Sequence, residues 1–137
     1  MIPCIGLCAS HIDNLNRLKL LQCSIESMLT QTVKIPLWIS ISTPWESLDI
    51  SSIPRPPNVH IFVHTKKQLS QFSHFSYLIE QIKKQNDGAP IDLKKTFCIF
   101  FDDDDYSHPE RVRFYTSAED TGQHSLLATD AILMMHE

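Results

Sequence analysis

The stretch that most constrains this chain is residues 96–105, Thr-Phe-Cys-Ile-Phe-Phe followed at once by four aspartates. An apolar run of that length predicts a short β-strand buried on both faces, as in a parallel sheet covered by helices. Asp102, Asp103, Asp104 and Asp105 then stand consecutively at its carboxyl end. Neighbouring like charges near 4 Å repel by about 1 kcal/mol per pair even in bulk water, and by more where water is partly excluded. Such a cluster belongs at the rim of a sheet, where a cation or solvent relieves it.

The remaining pattern supplies the rest of an α/β domain. Residues 2–9 form an apolar run of strand length, and Asp13 or Asn14 then offers an N-cap for a helix reaching about Thr30. Leu15, Leu18, Leu21, Ile25, Met28 and Leu29 fall on one face of that helix. Asn16, Arg17, Lys19 and Ser27 lie away from the centre of that face, and Leu20 is the misfit. A second strand is predicted over 35–42 and a third over 59–64. Between them Pro44, Pro54, Pro56 and Pro57 require an extended loop. A second helix over 68–84 carries Phe72, Phe75, Ile79 and Ile82 as its core stripe and ends at Asn86-Asp87-Gly88. After the aspartates, Pro109 opens a short helix bearing Val112 and Tyr115, and residues 126–135 read as a last strand.

This order predicts one α/β domain with a mainly parallel, Rossmann-like sheet and helices on both faces. In such sheets ligands bind beyond the carboxyl ends of the strands. Three of those ends are Ala9-Ser10-His11, Ser42-Thr43 and the aspartates. With 137 residues the chain suffices for one such domain. A net charge of -4 argues against a nucleic-acid partner or an anionic membrane surface. Nothing in the sequence has the length and apolarity of a transmembrane span, and a signal peptide is not expected. Cys4, Cys8, Cys23 and Cys98 sit inside apolar, regular segments, as free thiols do, which leads us to expect a reducing, cytoplasmic setting. Cys4, Cys8 and His11 lack the spacing of a zinc site.

Closely spaced hard oxygen donors suit Mg2+ or Mn2+, which bind one or two carboxylates and complete their shell with phosphate oxygens and water. The same residues also admit a solvated acidic turn in which Asp105 or Ser107 caps the following helix. The wider context is specific. Residues 100–112, FFDDDDYSHPERV, resemble the metal-binding segment of glycosyltransferase family 2 and related GT-A enzymes, in which an apolar strand ends in Asp-x-Asp-Asp before a Pro and a short helix. Residues 24–32, SIESMLTQT, are similar to the ending of that family's first helix. The two motifs stand in the family's order, and the resemblance spans essentially the whole chain.

The resemblance implies the nucleotide-sugar-binding part of a GT-A-like domain over residues 1–137, apparently truncated. It implies that Asp102 lies near the nucleotide ribose, with Asp103 beside it, and that Asp104 is the main ligand of Mn2+ or Mg2+. Asp105 would be a second metal ligand, and Asp102 a third. Ala9, Ser10 and His11 would occupy the nucleoside position. The donor would be a nucleoside-diphosphate sugar and the acceptor an unknown glycan, lipid or protein, with inversion expected. The sequence departs from the family in two places. Residues 40–43, SIST, offer hydroxyls where an acidic residue often contacts the base, and no general base is recognisable among Glu110, Glu119, Asp120, Asp130 and Glu137. A non-catalytic GT-A-like binding module, or another Mg2+-dependent phosphoryl-handling enzyme, are the rival readings. Elsewhere, His60 and His64 read as half-exposed strand residues and Lys66 and Lys67 as a solvated helix start. Trp38 reads as core, and Trp45 stands in the proline-rich loop.

Overall fold

The computed structural model describes residues 4–85 and 96–119. Its elements in chain order are β1 (Cys4–His11), α1 (Leu15–Leu29), β2 (Leu37–Thr43), β3 (Val59–Thr65), α2 (Gln71–Lys84), β4 (Phe97–Phe100) and α3 (Arg111–Glu119). The strands form one sheet in the order β3-β2-β1-β4, and every pairing is parallel. All four strands therefore present their carboxyl ends at one rim. The fold is the expected α/β arrangement.

Side chains alternate across the sheet, and each face has its own core. Cys4 and Cys8 of β1 and Leu37, Ile39 and Ile41 of β2 pack with Leu18, Leu21, Ile25 and Met28 of α1 and with Val112 and Tyr115 of α3. On the other face, Ile5, Leu7 and Trp38 pack against Leu78 and Ile82 of α2. The helices thus cover both faces. Trp45 is half-buried against the α1 face, brought there by the proline-rich loop. Asn14 caps α1 by accepting from the Arg17 amide at 2.9 Å. No helix among the described residues is long and apolar enough to cross a membrane.

Three expectations need correction. The first concerns α2, which starts at Gln71 behind a Ser70 N-cap rather than at 68, and buries His74, Leu78 and Ile82. Phe72 is 81% exposed, and Phe75 and Ile79 are half-buried. The periodicity was real but its phase was not, because a polar residue, His74, holds the most buried position of the first turn. The second concerns β4, which is not buried on both faces: Ile99 is buried, Phe97 and Cys98 are half-buried and Phe100 is 54% exposed. β4 pairs only with β1 among the described strands, and an edge strand lacks the flanking cover of a central one. The third concerns α1, where Leu15 at 67% exposed lies outside the core stripe. Ser27, expected away from that face, is buried by its bond to the Ser107 amide, while Leu20 is exposed as expected. The strand expected at 126–135 and the helix stop at 86–88 lie outside the described residues.

Candidate functional site

The aspartates leave the sheet where β4 ends. The ladder continues one step further, the Phe101 amide donating to the Leu7 carbonyl at 3.0 Å, and the chain then turns out over the rim. One surface of α1 receives it. Ser24 Oγ donates to the Asp102 carbonyl at 2.6 Å, and Ser27 Oγ accepts from the Ser107 amide at 2.9 Å. Gln31 is completely buried just beyond the helix. Its Nε2 donates to the His108 carbonyl at 2.7 Å, and its Oε1 accepts from the Val112 amide at 2.9 Å. Residues 24, 27 and 31 follow helical spacing, so one polar stripe binds the whole turn from Asp102 to the start of α3. Thr32 extends it, its amide donating to the Pro109 carbonyl at 3.0 Å. The two motifs that carry the family resemblance are therefore hydrogen-bonded to each other.

The four carboxylates separate into two groups. Asp103 turns inward and is nearly buried, accepting from Ser10 Oγ at 2.7 Å and pairing with Arg17 at 3.0 Å. Asp102, Asp104 and Asp105 stay exposed, and each offers a carboxylate oxygen within 4.8 Å of the others. Burial, and then the charges of Asp105, Asp104 and Asp103, raise the Asp102 pKa above its ordinary value. Cys8, buried beneath, has its thiol pushed far up by burial and by the charges of Asp103, Asp102 and Asp104. It is no nucleophile at neutral pH.

Helix capping does not account for the cluster. The Arg111 amide bonds the His108 carbonyl, the Glu110 amide bonds His108 Nδ1, and the Val112 amide goes to Gln31. Ser107 Oγ accepts instead from the Arg111 guanidinium at 3.0 Å, whose other arm reaches the Phe100 carbonyl at 2.8 Å. Among these bonds neither Asp105 nor Ser107 serves as the cap of α3.

The expected nucleoside position divides. Ser10 and His11 are consecutive in β1, so strand alternation sends them to opposite faces. Ser10 faces α1 and holds Asp103, whereas His11 faces α2 and its Nδ1 meets Ser42 Oγ at 2.8 Å. Ala9 is half-buried on the His11 side. His11 lines an open cleft of about 270 Å3 with Pro44, Lys66, Lys67 and Gln68. The loop after β2 sets its far wall, for the Lys66 amide donates to the Trp45 carbonyl and the Lys67 amide to the Thr43 carbonyl, both at 3.0 Å. Lys66 adopts a left-handed φ of 55° and pairs with Glu46 at 3.3 Å. The two lysines therefore belong to a shaped turn rather than to a helix start.

The sequence alone did not reveal Arg17 as a partner of the cluster. Nor did it show why Ser24, Ser27 and Gln31 are buried. A usable signal was present, since polar side chains recur at helical spacing inside the stripe of Leu21, Ile25 and Met28. Neither a scan of protein-family models nor a search of curated proteins returns a match to this chain.

Proposed function

We propose that this chain binds a nucleoside-diphosphate sugar at the carboxyl rim of its sheet and serves metal-assisted glycosyl transfer. The observation that carries this reading is the convergence of Asp102, Asp104 and Asp105 at the end of a parallel strand, with Asp103 withdrawn to Arg17. Such an exposed set of hard oxygen donors fits Mg2+ or Mn2+, and these three residues would hold the ion. A bound divalent cation would offset the negative charge that develops on a departing nucleoside diphosphate. The protein's own part is preorganisation. Ser24 and Gln31 fix the backbone that carries the carboxylates, and Arg17 with Ser10 keeps the fourth one out of the set.

The end of β2 favours loose base recognition. Ser40 and Ser42 are buried and bonded to histidines, and Thr43 Oγ1 accepts from the Trp45 amide at 3.3 Å. Most affinity for a donor then comes from the diphosphate. Glu110, the one downstream carboxylate whose side chain is described, pairs with Arg113 at 3.3 Å. It is a weak candidate for a general base.

Calorimetric titration of uridine, guanosine and thymidine diphosphates, with Mn2+ and with chelator, tests the reading. Strong coupling between metal and diphosphate is expected, lost in Asp104→Asn, with less than about a hundredfold spread among bases. Equal affinity in Mn2+ and in chelator would overturn it. Coupling without donor turnover by the chain, across an acceptor panel, would instead identify a binding module. Release of inorganic phosphate from simple phosphate esters would point to phosphoryl chemistry.

A further inference from the structure

The α2 face of the sheet, turned away from Asp103, carries a polar chain separate from the aspartate cluster. His74 of α2 is 2% exposed. Its Nδ1 lies 2.7 Å from Ser40 Oγ and its Nε2 3.2 Å from Ser42 Oγ. Ser40 Oγ also meets His64 Nε2 at 3.1 Å, and Ser42 Oγ meets His11 Nδ1 at 2.8 Å. The register explains the convergence, because His11, Ser42 and His64 occupy one row across β1, β2 and β3. The Leu69 amide joins at 3.4 Å from Ser42 Oγ. His11, Ser42, His74, Ser40 and His64 thus form one connected chain that ties three strand ends to α2 and to the segment before it.

The proton count suits a neutral state. Neutral His74 carries one N–H and one lone pair, and each serine hydroxyl donates once and accepts, so every contact can be satisfied in either direction along the chain. Among the described residues an added proton meets no counter-charge there. β2 presents only Ser40 and Ser42, β1 presents His11, and β3 presents His64 with Lys67 just beyond it. From α2 itself comes Tyr77, whose ring stands edge-on to His64 at 4.5 Å. Leu78 and Trp38 supply an apolar layer on the same face.

We propose that this histidine–serine chain is an acid-sensitive latch: neutral, it holds residues 68–70 and the start of α2 against the strand ends, and protonated, it releases them. Burial, then His64 and His11, push the His74 pKa down to about 4 from 6.5. Burial and Lys67 lower that of His64 as well. The open form therefore takes the proton first. The latch is fully engaged above about pH 6.5 and weakens as pH falls towards about 4. Gln68 lies in the released segment, so the cleft wall that it forms with His11 moves with it, while Lys66 and Lys67 stay tied to Trp45 and Thr43. None of this depends on the aspartates holding a cation.

Hydrogen exchange of the full chain at neutral and acid pH, corrected for intrinsic rates, reads the latch directly. On acidification the Leu69 and His74 amides should lose protection by about tenfold or more while β2 keeps its own. His74→Gln retains a donor and an acceptor but cannot titrate, and should abolish that difference. The ring titration of His74 in the unmodified chain needs no variant, and its imidazole should stay neutral to about pH 4. Titration of His74 near 6.5, or equal acid behaviour of Leu69 in the chain and in His74→Gln, would overturn the proposal.

Discussion

At the scale of single residues, Arg17 and Asp103 decide how the acidic cluster is tolerated. Arg17 is 40% exposed on its side chain and Asp103 12%, so the pair lies between a solvated and a buried salt bridge. Arg17→Ala leaves a nearly buried carboxylate facing three others, and should cost about 1–2 kcal/mol, more than a surface pair and less than a fully buried one. Denaturant midpoints at low and high salt provide the check, and Asp103→Asn in the same background should restore most of the loss. Asp102 makes the opposite case. Its raised pKa means that ionising it disfavours the fold, so the folded chain takes a proton there more readily than the unfolded one. Asp102→Asn should therefore stabilise at neutral pH, on the order of a few tenths of a kcal/mol for so exposed a group. The gain should vanish as pH falls below the ordinary carboxylate range, where Asp102 is neutral in both states. The thiols give a simpler expectation. Cys23 is exposed, whereas Cys4 and Cys8 are buried, Cys4 with its pKa pushed up to about 12. A thiol reagent should modify Cys23 rapidly in the native chain and Cys4 and Cys8 only on unfolding. Fast labelling of Cys8 would show that the rim above it is open.

At the scale of elements, the contact between α1 and the aspartate turn is the joint on which the candidate site rests. Gln31 bonds the carbonyls of Ser27 and His108, which Thr30 Oγ1 and the Arg111 amide also reach, and its Oε1 accepts from the amide of Val112. Removing a buried partner costs about 1–3 kcal/mol for each group left unsatisfied, softened where the loop can admit water. Gln31→Ala chiefly orphans the Val112 amide, so it should lower stability by about 1–3 kcal/mol, and α3 should fray before the sheet does. Exchange at the Val112 amide against amides of β2 separates that local effect from global loss. Gln31→Glu is the informative companion, since it keeps the acceptor for Val112 but cannot donate to His108. A sheet that loosens together with α3 in both variants would show that the joint is not a separate unit.

At the scale of the whole molecule, ligand and fold are linked through the rim. A cation or diphosphate that binds only the native rim stabilises the chain by mass action, about 2.7 kcal/mol at a hundredfold excess over its dissociation constant. Thermal unfolding with Mn2+ and a nucleoside diphosphate together should shift upward by more than the sum of either alone. Asp104→Asn should lose the shift while keeping its own Tm in chelator, and an unchanged shift would separate the carboxylates from binding.

Much of this architecture was legible in the residues themselves. Short apolar runs and a helix with leucines at regular spacing imply a parallel α/β sheet, because only that arrangement buries such strands and helices together. The burst of aspartates after 96–101 likewise marks where the chain must leave the core, since adjacent carboxylates cannot share a dry site. Hydrophobic period says which side of an element is apolar, but not which polar residues interrupt it. Ser24, Ser27 and Gln31 in α1, and His74 in α2, are buried because their partners arrive from strands and turns far along the chain. The division of the four aspartates has the same origin. They are chemically alike, and Asp103 differs only because the sheet brings Ser10 and Arg17 to it. Burial of polar groups is decided by long-range pairing, which spacing along one element does not encode, so the elements followed from the sequence and the division of labour at the rim came from the tertiary fold.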